Sequence, residues 1–244
     1  MHVKTLDERV VSRAKARGLD VLVYAPHFTR LPDIRARAER FSDDDLLVVP
    51  AREVFTGPWH DRRHVLAIGL SDPVPDFISL SGALDEFDRQ GAAVLVPHPE
   101  MLNVSCSRGD VATNADVVDA VETYNAKCLT YQNRRSRTVA SETGLPGFGS
   151  SYSHLAGTVG EAWTVLETAV ETEADLVTAL RSGVSRRVAH RRGVSHRLRC
   201  LAEFAHLGYE NSWEKVDRLF LSGDEPTHPG NVAYGGRFDD VRAY

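Results

Sequence analysis

The chain has 244 residues, with 42% hydrophobic and 26% charged side chains, a composition that can bury a sizeable core and excludes wholesale disorder. The formal net charge of −5 gives no global attraction to nucleic acid or an anionic membrane, and no apolar run reaches the ~18 residues a spanning helix needs. Three scattered cysteines exclude a disulfide framework, and with no secretory leader visible at the start the chain is expected in the cytoplasm.

Continuous apolar runs separated by helical periodicity predict buried parallel strands. In chain order they are Val21 to Ala25, Leu46 to Pro50, Val65 to Leu70, Ala93 to Val96 and Val118 to Tyr124. Helices are predicted over Leu6 to Arg17, Pro32 to Phe41, Ser79 to Gln90, Cys128 to Glu142 and from Glu173 to Arg181, several of them stopped by glycine. This alternation predicts an α/β fold with a parallel sheet or barrel. Leu201 to Leu221 shows a further helical pattern with Phe204, Leu207, Trp213, Val216, Leu219 and Phe220, and the tail from Gly223 is turn-rich.

Ten histidines stand against two methionines, and 25 of the 29 basic residues are arginine. The histidines recur where apolar runs stop: Val21 to Ala25 runs into Pro26-His27, and Ala93 to Val96 into Pro97-His98. Leu46 to Pro50 runs into Ala51-Arg52-Glu53. In a β/α barrel such positions share one mouth, at the carboxyl ends of the strands. Histidine nitrogens and a carboxylate converging there have the chemistry of a zinc, manganese or iron site. The candidates are His2, His27, Glu53, His64, His98 and His154.

These residues resemble the motifs of the PHP family, named for its polymerase and histidinol phosphatase members. His2-Val3-Lys4 matches an HxH motif with lysine in the second position. Pro26-His27, after Gly18-Leu19-Asp20, matches an Asp-His motif without its aspartate. Glu53, His64 and His98-Pro99 are intact, and Ser151-Tyr152-Ser153-His154 keeps the last histidine of Ser-Asp-Ala-His. The resemblance implies a distorted seven-stranded, TIM-like β/α barrel over residues 1–168, with residues 169–244 a mainly helical and loop C-terminal extension packed on it. It implies a metal-dependent phosphoesterase with one to two divalent ions (Zn, Mn or Fe). Glu53, His64 and His98 would hold the principal ion. His27 and His154 would hold a second or transfer protons, with Asp7 standing in for a missing carboxylate. Lys4 is expected to replace another ion, because an ammonium can neutralise a nearby carboxylate.

Arg30 and Arg52 are candidate phosphate contacts. Tyr152 either offers its hydroxyl to substrate or fills a vacant metal position. The expected partner is a small-molecule or nucleotide phosphoester, with no membrane. Two other readings stand beside this one. A degenerate barrel would act as a regulatory or binding module. A nucleic-acid function would use the seven arginines between Arg181 and Arg199, a stretch that reads equally as a solvated or internally paired surface.

Overall fold

The computed structural model describes residues 2–58, 60–101, 104–209 and 227–244. Seven strands form one sheet in sequence order: β1 (His2–Val3), β2 (Val21–Tyr24), β3 (Leu47–Thr56), β4 (Arg63–Ile68), β5 (Ala93–Val96), β6 (Ala120–Asn125) and β7 (Gly147–Ser150). A parallel bridge from Val3 to Ser153, just beyond β7, brings the two edges together, with the Lys4 amide donating to the Ser153 carbonyl at 2.9 Å. The result is a nearly closed barrel with helices around it, of the TIM-like kind expected.

One strand departs from the expected parallel arrangement. β4 runs antiparallel to both β3 and β5, while the remaining pairs are parallel. The physical reason is the connection: β3 continues to Thr56, leaving only residues 57–62 before β4. A parallel crossover needs a dozen or more residues, so so short a link can only turn back as a hairpin. The reversal has a functional consequence, because it puts the beginning of β4, and with it His64, at the carboxyl end of the neighbouring strands.

The helices are α1 (Glu8–Ala16), α2 (Leu31–Phe41), α3 (Leu80–Arg89), α4 (Arg108–Thr113), α5 (Thr130–Thr143), α6 (Glu173–Arg181) and α7 (Val194–Tyr209). Alternation along β3 sorts two cores. Val49 and Ala51 point inward with Val23, Leu66, Leu95 and Phe148, while Val54 points outward to meet Ala83, Leu84 and Phe87 of α3. Leu176 and Leu180 of α6 join the inner cluster.

Beyond the barrel, β8 (Ala162–Leu166) and β9 (Arg186–His190) form an antiparallel ribbon. It packs against β7 so closely that a Cβ on Gly149 would lie 2.4 Å from Val188, which explains glycine there. Within the arginine-rich stretch, Arg186 donates to the last carbonyls of α6 and Arg199 pairs with buried Glu161, so part of it is internally satisfied. The tail returns across the barrel: the Asp76 amide donates to the Thr227 carbonyl, Ile78 bridges Ala243, and Tyr234 and Phe238 enter the outer core. The helical pattern expected to Leu221 begins in α7. Its residues from 210, among them Trp213, Val216, Leu219 and Phe220, lie outside the described residues. No described helix is long and apolar enough to cross a membrane.

Candidate metal centre

Glu53 is fully buried on the inward face of β3 and organises the barrel mouth. Its Oε1 lies 3.1 Å from His64 Nδ1 and 3.4 Å from His98 Nε2, and its Oε2 lies 3.7 Å from His2 Nε2. Ligand atoms of Glu53, His64 and His98 all fall within 4.8 Å of one another, so these three could hold a metal ion. His27 stands next to them, its ring 6.1 Å from that of His64 and 6.1 Å from that of His154. All six histidine and glutamate candidates therefore meet at one place.

The ring nitrogens are presented as ligands should be. The Ser105 hydroxyl donates to the Met101 carbonyl at 2.9 Å, so toward His98 Nδ1, 2.9 Å away, its oxygen can only accept. That contact fixes the proton on Nδ1 and leaves the Nε2 lone pair facing Glu53, an outer contact of the kind that orients metal ligands. Among the described residues, both ring nitrogens of His2, the Nε2 of His64 and the Nδ1 of His27 are buried without a hydrogen-bond partner. Buried polar atoms rarely stay unsatisfied; each neutral ring has one lone pair, and a cation accepting it would satisfy one nitrogen of each ring. The donor set of one carboxylate and two imidazoles thus fits a divalent ion. Both ring centroids His98–Tyr152 and His2–Tyr152 are close, at 5.1 and 4.9 Å, so Tyr152 sits at the hub.

Two residues occupy the remaining lone pairs of Glu53. Lys4 forms a short, fully buried ion pair with Oε2 and donates to the Ala25 carbonyl at 2.7 Å. Tyr152 donates its hydroxyl to Oε1 at 2.8 Å, with His27 Nε2 3.5 Å from the same hydroxyl. A carboxylate oxygen accepts more than one partner, so the tyrosine bond and an ion can share Oε1. Tyr152 and His98 both hold positive φ, +49° and +32°, a strained backbone for non-glycine residues that clusters at functional sites.

Burial pushes the Glu53 carboxyl up, but the Lys4 ammonium and the nearby His64 and His98 outweigh it and hold it well below the usual carboxylate range. Burial lowers His64 to about 3, and burial followed by the charge of Lys4 lowers His2 and His27 well below 6.5. These imidazoles are therefore neutral in the folded protein while the unfolded chain takes up protons below about pH 6.5. Stability rises with pH wherever the unfolded state binds more protons, so it is present at neutral pH and lost as pH falls from 6.5 toward the folded values. Urea unfolding of the metal-free protein between pH 7.5 and 5 should show a loss approaching about 1.4 kcal/mol per pH unit for each such histidine. A flat profile above pH 5 would contradict neutral burial.

Three expected roles are corrected. Arg52 faces away from the mouth, because neighbours on a strand point to opposite sides; it is buried against Asp76 at 3.0 Å and cannot contact a substrate phosphate there. Arg30 precedes α2 at the surface, 3.3 Å from Asp33, and is not brought into the cluster. Asp7 caps α1 by accepting from the Val10 amide, so it does not replace the missing carboxylate.

Four contributors escaped the sequence reading. Glu122 on β6 accepts from the His98 amide at 2.7 Å, Asn125 at 2.8 Å and Ser150 at 2.8 Å, pinning three elements beneath the site. A glutamate directly after the apolar pair Ala120-Val121 of a buried strand was the available signal. Lys127, buried after β6, places Nζ 3.1 Å from His154 Nδ1. Glu203 of α7 reaches His154, accepting from its amide at 2.6 Å and facing its Nδ1 at 3.0 Å, while Thr158 donates to the other oxygen at 2.6 Å. Ser105, fourth, sets the His98 tautomer. Neither Glu203 nor Ser105 carries a local signal, since each acts on a residue distant in sequence or through a loop.

A family description of PHP-associated sequences matches residues 130–185, a span running from α5 through β7 and the outer ribbon's first strand to the end of α6. No curated protein shows significant sequence similarity to the chain. Among solved structures, PsfC from Pseudomonas syringae superposes with a TM-score of 0.59 at 16% identity, covering 86% of this chain and 92% of that one. An amidohydrolase from Chromobacterium violaceum, with bound sulfate and no metal, reaches 0.49 at 12% identity over 63% and 86% of the two chains. A Bifidobacterium adolescentis protein classed as a metal-dependent phosphoesterase gives 0.49 at 14% over 75% and 95%. The PHP-associated similarity is thus confined to the segment running from α5 to just past α6, residues 130–185, and the likeness to PsfC extends over the fold of most of the chain.

Proposed function

We propose that the protein is a metal-dependent hydrolase of phosphate esters, acting through one ion held by Glu53, His64 and His98. The observation that carries this reading is the convergence of those three ligand groups within 4.8 Å, with His98 locked in the ligand tautomer by Ser105. A divalent ion, zinc, manganese or iron, would supply Lewis-acid polarisation of a phosphoryl oxygen and acidify a water. The chain's own residues do the rest. Lys4 neutralises the outer oxygen of Glu53 where the family would place another ion, which favours a single tight site. Asp7, which caps α1, is not placed to complete a further one with His27.

His154 is set for proton transfer to the leaving oxygen. Glu203 Oε1 at 3.0 Å and the Tyr152 carbonyl at 3.1 Å face its Nδ1 as acceptors and the Lys127 ammonium at 3.1 Å as a donor, so Nδ1 is held by the protein and Nε2 is left as the base or acid. His27, next to the Tyr152 hydroxyl, is the second candidate for that role. Release of phosphate from generic esters in the presence of Mn²⁺ or Zn²⁺ is the expected result, falling at least ~10³-fold in His98→Ala.

The second reading, a regulatory or binding module on a degenerate barrel, draws on the hydroxyl of Tyr152 and the ammonium of Lys4 both bonded to Glu53. No turnover with any divalent metal across a wide ester panel would favour it.

A further inference from the structure

Beside the barrel mouth, a cavity of about 610 Å³ opens between the start of α5 and the start of α7. Arg137, Arg191, Arg192 and Arg197 line it with Lys127, and its lining contains no aspartate or glutamate. In a chain of net charge −5, so many cations around one hollow without a carboxylate is a local reversal of the average. Arg137, Arg192 and Arg197 are exposed and make no ion pair among the described residues, so their guanidinium groups face the hollow or solvent unneutralised.

The walls are tied to the body of the protein. Arg191 is anchored by a bond from Nε to the Gly160 carbonyl at 3.2 Å, and the Tyr124 ring stacks on His190 at 4.1 Å with 3° between planes. Tyr124 is itself tied to His196 at 2.9 Å, and His196 to Glu161 at 2.8 Å. Lys127 joins this cleft to the metal centre: it lines the cavity, yet its Nζ lies 3.1 Å from His154 Nδ1 and 5.1 Å from the Tyr152 ring.

We propose that this cleft binds a second phosphate group of the substrate, remote from the ester that reacts at the metal centre. The proposal rests on the hydrolase reading for the position of the reacting group and adds the substrate class, a small molecule with two anionic ends. Arginine forks suit phosphate oxygens, and Lys127 stands between the two anion positions. It also gives a role to Arg192 and Arg197, which belong to the arginine-rich stretch, line the cleft and make no ion pair among the described residues.

Calorimetric titration of the metal-free full chain with inorganic pyrophosphate tests the cleft alone. Saturable binding is expected, weakened about tenfold or more in Arg192→Gln/Arg197→Gln, where two charge-assisted contacts are lost. Arg137→Gln, on a different element, should weaken it independently, and His98→Ala should retain the parental affinity. Undetectable binding, or loss in His98→Ala with retention in the arginine variants, would overturn the proposal. So would a single-stranded oligonucleotide that pyrophosphate cannot displace, which would assign the arginines to nucleic acid. The titration contains no metal and no turnover, so its failure leaves the hydrolase reading standing, and an inactive enzyme leaves the binding result standing.

Discussion

Glu53→Gln should destabilise the metal-free protein by about 3–5 kcal/mol in urea unfolding, the range seen when one partner of a buried ion pair is removed. The substitution barely changes shape, so the loss comes from charge. Lys4 is buried, its pKa already lowered by burial and held up by Glu53, and without the carboxylate its ammonium keeps the Ala25 carbonyl and the face of the Tyr152 ring but loses its counter-charge. The double variant Glu53→Gln/Lys4→Met removes both charges and should recover much of the loss, giving a coupling energy of about 1–3 kcal/mol in a double-mutant cycle. Additive losses, or a Glu53→Gln protein within about 0.5 kcal/mol of the parent, would mean that Lys4 is not the charge partner on which the site depends.

The second large effect belongs to Glu203. Burial raises its carboxyl, but the hydrogen bonds from His154 and Thr158 outweigh burial and leave it lowered. Glu203→Ala strips an acceptor from the His154 amide and ring and from Thr158, at roughly 1–3 kcal/mol for each buried donor left unmade. Glu203→Gln keeps the volume and separates packing from chemistry. It should cost less stability yet lower kcat for phosphate release by about 10²–10⁴-fold, because a neutral amide no longer stabilises positive charge on the His154 ring. A Glu203→Gln enzyme with parental kcat and an unchanged pH profile would reduce the contact to a staple for α7.

Much of the barrel was legible because its strands are continuous apolar runs and its helices are amphipathic with glycine stops. The elements that were missed carry a different chemistry. β7, Gly147-Phe148-Gly149-Ser150, has glycines where Thr123 and Val188 approach, so it reads as loop rather than strand. β9, Arg186–His190, is an outer ribbon whose arginines concealed its pairing with β8. The reversed β4 was decided by loop length, which the apolar run alone does not express.

At the site, His2, His27, Glu53, His64, His98 and His154 were legible from motif spacing, and the structure brings them together. Arg52 was misplaced by adjacency in sequence: strand alternation sends it to Asp76 precisely because Glu53 points inward. The second layer of Ser105, Glu122, Lys127 and Glu203 was hidden, since its members act across |i−j| separations of 7 to 49 residues and no local pattern announces them. That layer is what turns six separate side chains into one asymmetric site, in which Lys4 and His2 face one oxygen of Glu53 and His64, His98 and Tyr152 the other.

The most direct test of that asymmetry is the number of metal ions bound per chain, measured by elemental analysis after loading with Mn²⁺ or Zn²⁺ and dialysis. The account predicts one tightly held ion, lost in His64→Ala and in His98→Ala. Three ions per chain, or none in the parental protein, would contradict it.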